Sequence, residues 1–372
     1  MNIRDLLERY KNGTAKEEEI RKVEEELENH LGMDEDDILI RFEQEDFTEV
    51  KFIKKEVRKK KATIILSSVA VMLTIFLGFK FILTPMLNGF YYNPEQYNYA
   101  AHHNDLSVKL ATFTELHFPN KISKGVNVIN NGISHYTFSF YQHDMFKDKV
   151  DTISGEIKRS SISLDEEFWQ YAALEHFPNA TYPVNSTLTT EQTINNIEKL
   201  PPYSYIKAYV SFEKDKNMEE LAQIIDENAN LELYISWIGI RNSEETVQNV
   251  PLIGFEPSGV GPIFEKMTEQ YPYYELSNHT HSSSALSGEV FEKHFLELIQ
   301  FQLDHGSFIN MLGGDTLNRG YYDSVLEYVA DNGIHSYGLV VQGYPSAILS
   351  LASQLDIFHI AVDEIKMAMP KE

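Results

Sequence analysis

The longest feature in the pattern of polar and apolar positions is an unbroken apolar run from Ala62 to Phe79, eighteen residues without a charge. Carried past Lys80 to Leu83, it makes a helix of about 33 Å at 1.5 Å per residue, enough for the roughly 30 Å hydrocarbon core of a bilayer. The run predicts a transmembrane helix over residues 62–84, with Lys80 reaching the headgroups and Pro85 standing where a helix can stop. A buried core helix seldom stays apolar on every face for this length. A cleaved signal peptide does not fit, because the run starts some sixty residues in, exceeds an h-region and lacks a small-x-small site after it.

Before the run the apolar positions recur at helical spacing. Leu6, Leu7 and Tyr10 make one stripe, and Ile20, Val23, Leu27 and Leu31 make a second at steps of three and four. The "NGT" turn separates them, Thr14 with Glu17 fits a capping box, and Glu17 to Glu19 suit the positive end of a helix. A third short stripe is Ile38, Ile40, Phe42 and Phe47. Fifty residues with so few large apolar groups make a poor core of their own, so the stripes are expected to need a partner.

After the run the period changes from helical to alternating. "SVKLATFTEL", "HYTFSFY" and "DTISGEIKRSSISL" alternate apolar and polar residues between Gly, Asn and Asp clusters, which predicts mostly antiparallel sheet up to about Leu200, with "FWQYAALEHF" as a helical insertion. From Pro201 a strand, "YIKAYVSF", a helix carrying Met218, Leu221, Ala222 and Ile225, and a strand, "LELYISWIGI", form one unit. "SYGLVVQG", a helix opened by Pro345, and "IFHIAV" form another. Helices from "VFEKHFLELIQFQL" and "YYDSVLEYV" fall between them. The predicted fold class is α+β: a helical head over residues 1–61, the membrane helix over 62–84, a β-rich region over 85–200, and a ferredoxin-like α+β domain with two βαβ units over 201–372.

Charge gives this organisation a direction. The formal net charge is −24, yet Lys54, Lys55, Arg58, Lys59, Lys60 and Lys61 stand together directly before the apolar run. Lys and Arg flanking a span are retained on the cytoplasmic side, which puts the N-terminus inside and the large C-terminal part outside, in a single-pass cell-membrane protein. The same cluster is a surface for anionic membrane lipid. Acidity on both sides argues against direct nucleic-acid binding. The absence of cysteine excludes a disulfide framework, thiolate zinc and Cys-nucleophile chemistry.

Enzyme motifs were sought without result. There is no H-E-x-x-H, G-x-S-x-G or Walker loop, so neither catalytic residues nor a cofactor are expected. "GFEPSGVGP" lacks the third glycine of a dinucleotide loop and reads as a structural turn. His102 with His103, and His279 with His281, read as loop histidines, and no metal is expected. Tyr271, Tyr273 and Tyr274 in "YPYYEL" read as packing. "DEDD" at Asp34 to Asp37 lacks the glycine and distal Glu of a calcium loop.

Two stretches carry a family resemblance. "LLERYKNGTAKEEEIRKVEEELENHL" resembles the head of anti-sigma factors that hold extracytoplasmic-function sigma factors at the membrane. Where many of those carry a His-x3-Cys-x2-Cys zinc site, this chain has Glu26, His30 and Met33, or His30, Asp34 and Asp37, so the resemblance implies a zinc-independent version. "YIKAYVSFEKDKNMEELAQIIDENANLELYISWIGI", "PLIGFEPSGVG" and "SYGLVVQGYPSAILSLASQLDIFHIAVDEI" resemble the C-terminal domain of sigma factor regulators of low-GC Gram-positive bacteria, and the collar, span and "YYNP" resemble its N-terminal companion. The resemblance implies a membrane-anchored anti-sigma factor. Its head would sequester an extracytoplasmic-function sigma factor through Leu6, Leu7, Tyr10, Ile20, Val23, Leu27 and Leu31. Its external body would answer an envelope signal, directly or through a second membrane regulator. The alternative is an extracytoplasmic binding or assembly protein for which the head is only a tether.

Overall fold

The computed structural model describes residues 3–31, 47–159, 161–165, 168–169, 188–244, 251–279, 286–312 and 316–367. It divides into two compact units, Met1–Met86 and Leu87–Glu372. The stripe through Ile38, Ile40 and Phe42, the "DEDD" stretch, His281 and the "FWQYAALEHF" segment beyond Trp169 lie outside the described residues.

In the first unit α1 (Ile3–Lys11) and α2 (Glu17–Leu31) pack together, and α2 packs against α3 (Phe47–Gly78). The turn between α1 and α2 differs from the expected capping box. The Thr14 hydroxyl donates back to Arg9 O at 3.4 Å, closing α1, and it is Glu19 that accepts the Lys16 N–H at 3.0 Å. Gly13 supplies the positive φ of +68° that reverses the chain. Helix α3 passes through a π turn at Phe79–Leu83 into α4 (Thr84–Asn88). Pro85 therefore does not stop the helix: the wider turn, with Thr84 N–H and Oγ1 both donating to Phe79 O, re-registers the backbone just before the residue that lacks an N–H. Lys54–Leu87 is the one helix among the described residues long and apolar enough to cross a membrane, and its apolar window is entirely unburied.

The second unit opens with α5 (Asp105–His117), where a strand was expected. Asn104 caps it by accepting the Ser107 N–H at 2.9 Å, and nearly every residue of the helix is buried. A helix enclosed on all sides needs no apolar stripe, so "SVKLATFTEL" shows an alternation that imitates a strand. It packs on a four-stranded antiparallel meander, β1 (Lys121–Gly132), β2 (His135–Asp144), β3 (Lys149–Lys158) and β4 (Ser161–Leu164). In β2 the positions Tyr136, Phe138, Phe140, Gln142 and Asp144 are buried and their alternates are not.

Helix α6 (Thr190–Glu198) leads to β5 (Ser204–Asn217), α7 (Met218–Glu227) and β6 (Leu233–Ile240). The two-residue β7 (Gly254–Phe255) and three helices follow: α8 (Gly288–Asp304), α9 (Gly306–Leu312) and α10 (Arg319–Asn332). Then come β8 (His335–Gly343), α11 (Pro345–Gln354) and β9 (Ile357–Met367). The second sheet has the order β7-β6-β8-β5-β9 with every neighbouring pair antiparallel. One face of β5, carrying Ile206, Ala208, Val210 and Phe212, joins Met218, Leu221, Ile348 and Leu351 in the main core. The opposite face buries Tyr209, Trp237, Tyr337 and Val340. Burial on both faces explains why β5 and β8 read as near-continuous apolar runs.

Candidate functional site

The first unit holds the residues expected to meet a partner. Val23 is 4% exposed, while Leu6, Tyr10 and Ile20 are half-buried. Leu7, Leu27 and Leu31 fall on the described helices, but their side chains are outside the description. An ion pair from Arg9 to Glu19 at 3.3 Å ties α1 to α2. On α3 the collar splits between two faces. Lys55, Arg58 and Lys59 are exposed, with Lys59 donating to Glu56 at 2.7 Å, whereas Lys54, Lys60 and Lys61 are half-buried beside the enclosed Val57.

The second unit has a small cleft, about 40 Å³, between the α5–β1 corner, the Glu256–Phe264 loop, the Tyr274–Ser277 turn and α8. Its centre is His294. One ring nitrogen lies 2.9 Å from Tyr273 O and the other 2.9 Å from Glu115 Oε1, so both face acceptors, an arrangement that favours the protonated ring. Burial pulls the imidazole pKa down, but the Glu115 charge and hydrogen bond, the Tyr273 carbonyl and the more distant Glu256 outweigh it, and the net direction is up.

Glu256 lies buried at the start of the loop that reads "GFEPSGVGP". One oxygen accepts from Ser258 N at 2.8 Å, from the Ser258 hydroxyl and from Tyr234 OH at 3.0 Å; the other accepts from Val260 N at 2.9 Å. Burial pushes its pKa up, further than the bonds from Ser258 and Val260 bring it down. The loop amides that a phosphate would require are thus held by the chain's own carboxylate, which supports the turn reading. Glu275 fixes the far side by accepting the Phe264 N–H and, at 3.2 Å, an Asn278 amide proton.

Neither His294 nor the carboxylates around it were singled out from the sequence. His294 sits with Phe291, Phe295 and Leu298 on one face of α8, and an ionisable residue inside an apolar stripe was the available signal. Tyr271 and Tyr274 are buried, and Tyr273 stacks on His279 at 4.5 Å, while His103 meets the edge of Phe264 at 5.3 Å. Among the described residues no group of three His, Asp or Glu side chains is placed to hold a metal.

Residues 197–364 match the family described as sigma factor regulator C-terminal. Over these residues, a little under half of the chain, the sequence is similar to sigma factor regulators. The matched stretch runs from the end of α6 into β9, so it contains both strand-helix-strand units and the His294 side of the cleft, while the α5–β1 wall lies before it. No curated protein and no solved structure matches the chain. The match supports a role in regulating a sigma factor, and with it the binding of one.

Proposed function

We propose that the protein is a single-pass membrane anti-sigma factor whose N-terminal head, residues 1–61, sequesters an extracytoplasmic-function sigma factor in the cytoplasm. The body after the span lies outside the membrane, responds to an envelope signal, and performs no catalysis. The observation that carries this reading is the family match at residues 197–364 on a chain whose acidic helical head is separated from the match by one long, fully exposed apolar helix. The collar supports the orientation, since Lys and Arg are retained inside. The order β6-β8-β5-β9, with α7 and α11 as the crossovers, supports a ferredoxin-like second sheet. Competition supplies the mechanism: a sigma factor exposes basic DNA-binding and apolar polymerase-binding surfaces, and an acidic amphipathic head matches both.

The test is co-purification of the full chain, in detergent from its own membranes, with each sigma factor of the host, followed by transcription with the retained factor. One sigma factor should be enriched and its transcription should fall as the chain is added. Absence of any enriched sigma factor, with transcription unchanged, would leave the tethered extracytoplasmic protein as the better account.

A further inference from the structure

The stripe on α2 is already occupied. Val23, at its centre, is 4% exposed, and the helix that packs on α2 is α3, whose one enclosed side chain in the collar, Val57, is 3% exposed. Around Val57 the half-buried positions are Lys54, Glu56, Lys60 and Lys61, the lysines at steps of three and four, while Lys55, Arg58, Lys59 and Ala62 face water. One face of the collar is therefore turned inward, and it consists of an apolar residue framed by three lysines, with Glu56 at its edge. Helix α2 is acidic as a whole, with Glu19 and Glu24 half-buried and its other described glutamates facing water. Helix α2 carries Glu17, Glu18, Glu19, Glu24, Glu25, Glu26 and Glu28 against Arg21 and Lys22, with the apolar stripe between them.

We propose that the collar of α3 is an internal mimic of the partner: a basic helix with an apolar ridge that covers the α2 face on which a sigma factor would dock. Closed head and sigma-bound head then exclude one another. This inference rests on the anti-sigma reading and adds to it a competitor built into the chain. It also gives the lysines a second role, since some are turned inward beside Val57 while others lie on the exposed face of the helix that precedes the span. Helix α3 is continuous from Phe47 to Gly78, so a turn or shift of its apolar part reaches Val57 without an intervening hinge. Affinity for the partner is thereby linked to the state of the span helix.

The chain has no cysteine, so an introduced pair reports on itself alone. Full-length chain carrying Val23→Cys and Val57→Cys, in phospholipid nanodiscs, is oxidised or left reduced and titrated with the host sigma factor that co-purifies with the wild type. The oxidised form should bind at least tenfold more weakly than the same chain reduced, with reductant restoring the difference. Equal binding by the two forms, or failure of the pair to cross-link, overturns the proposal. The second variant, Val57→Asp, places a charge against the acidic helix and should open the head, raising affinity severalfold. A merely structural Val57 would give unchanged or weaker binding, which also overturns it. Wild-type chain that binds no host sigma factor sinks the anti-sigma reading itself, a result distinct from both.

Discussion

His294 and His117 are both fully enclosed, yet their surroundings shift their pKa values in opposite directions. His294 has acceptors at both nitrogens and its pKa is raised. His117 has one acceptor, Leu252 O at 2.8 Å, and takes a hydrogen bond from Tyr322 OH at 2.7 Å on the other nitrogen; burial lowers its pKa to about 4, against a smaller upward pull from Leu252. The linkage signs are opposite. A raised folded pKa contributes stability that is complete below about pH 6.5 and is lost as pH rises through the folded value, whereas a lowered one contributes above about pH 6.5 and is lost as pH falls through it. For His117 the shift corresponds to something on the order of 3 kcal/mol. Both tryptophans, Trp169 and Trp237, lie in the second unit, so the emission of the full chain follows that unit alone. Urea midpoints should fall from pH 6.5 toward 4 in the wild type and less steeply in His117→Gln. On the alkaline side His294→Gln should flatten the decline. Profiles parallel to the wild type would show that neither imidazole is linked to folding. These roles were hidden in the sequence because a histidine's charge is decided by acceptors from other elements, here Glu115 and Leu252, far away along the chain.

Helix α5 shows the same limit at the scale of an element. Its strand-like alternation arises because it buries polar residues as well as apolar ones, among them the Lys109–Asp105 pair at 2.7 Å, 6% and 4% exposed. Burial lowers the lysine pKa, with Asp105 pulling the other way, and the ammonium lies 4.6 Å from the Tyr92 ring centre and 5.4 Å from that of Phe308. Lys109→Met should cost about 3–5 kcal/mol, because it leaves a buried carboxylate without its countercharge; adding Asp105→Asn should recover most of the loss. A double variant no more stable than the single one would refute the pairing as the cause. The strands and helices of the second sheet were legible by contrast, since β5 and β8 are apolar throughout and α7 and α11 carry clear stripes. The edge strand β7 was not, being two residues long. It exists because Gly254 lets the backbone approach β6: a Cβ there would lie 2.0 Å from Ile238 O and 2.5 Å from the Trp237 ring. Gly254→Ala should therefore cost about 1–3 kcal/mol, measured as a lowered urea midpoint, and should shift the Trp237 emission; an unaltered spectrum and midpoint would mean the strand moves aside freely.

For the whole molecule, the long apolar helix and the mixed sheet-and-helix make-up after it were legible, and the joining of the two sheets was not. The turn after β2 sets Phe146 between Lys207, at 5.6 Å, and Lys366, at 4.7 Å, and stacks it on Tyr205 at 6.0 Å, so the meander locks onto the outer face of β5 and β9. Such contacts join positions sixty and more than two hundred residues apart, and no local period announces them. Orientation, on the other hand, rests on a local signal, the six basic residues from Lys54 to Lys61 before the apolar run. Translocating that collar would carry its charges through hydrocarbon, at about 2.5–3.5 kcal/mol for each residue held at the helix centre, whereas the acidic residues of the head contribute little to orientation. In spheroplasts, added protease should destroy an epitope placed after Tyr91 and spare one at residue 1, and detergent should expose both. Replacing Lys54, Lys55, Arg58, Lys59, Lys60 and Lys61 with Gln should produce a fraction of chains in the reverse orientation, because it removes the bias and leaves the span intact. A C-terminus protected in the wild type would reverse the assignment and, with it, the placing of head and body on which sequestration inside and response to the envelope depend.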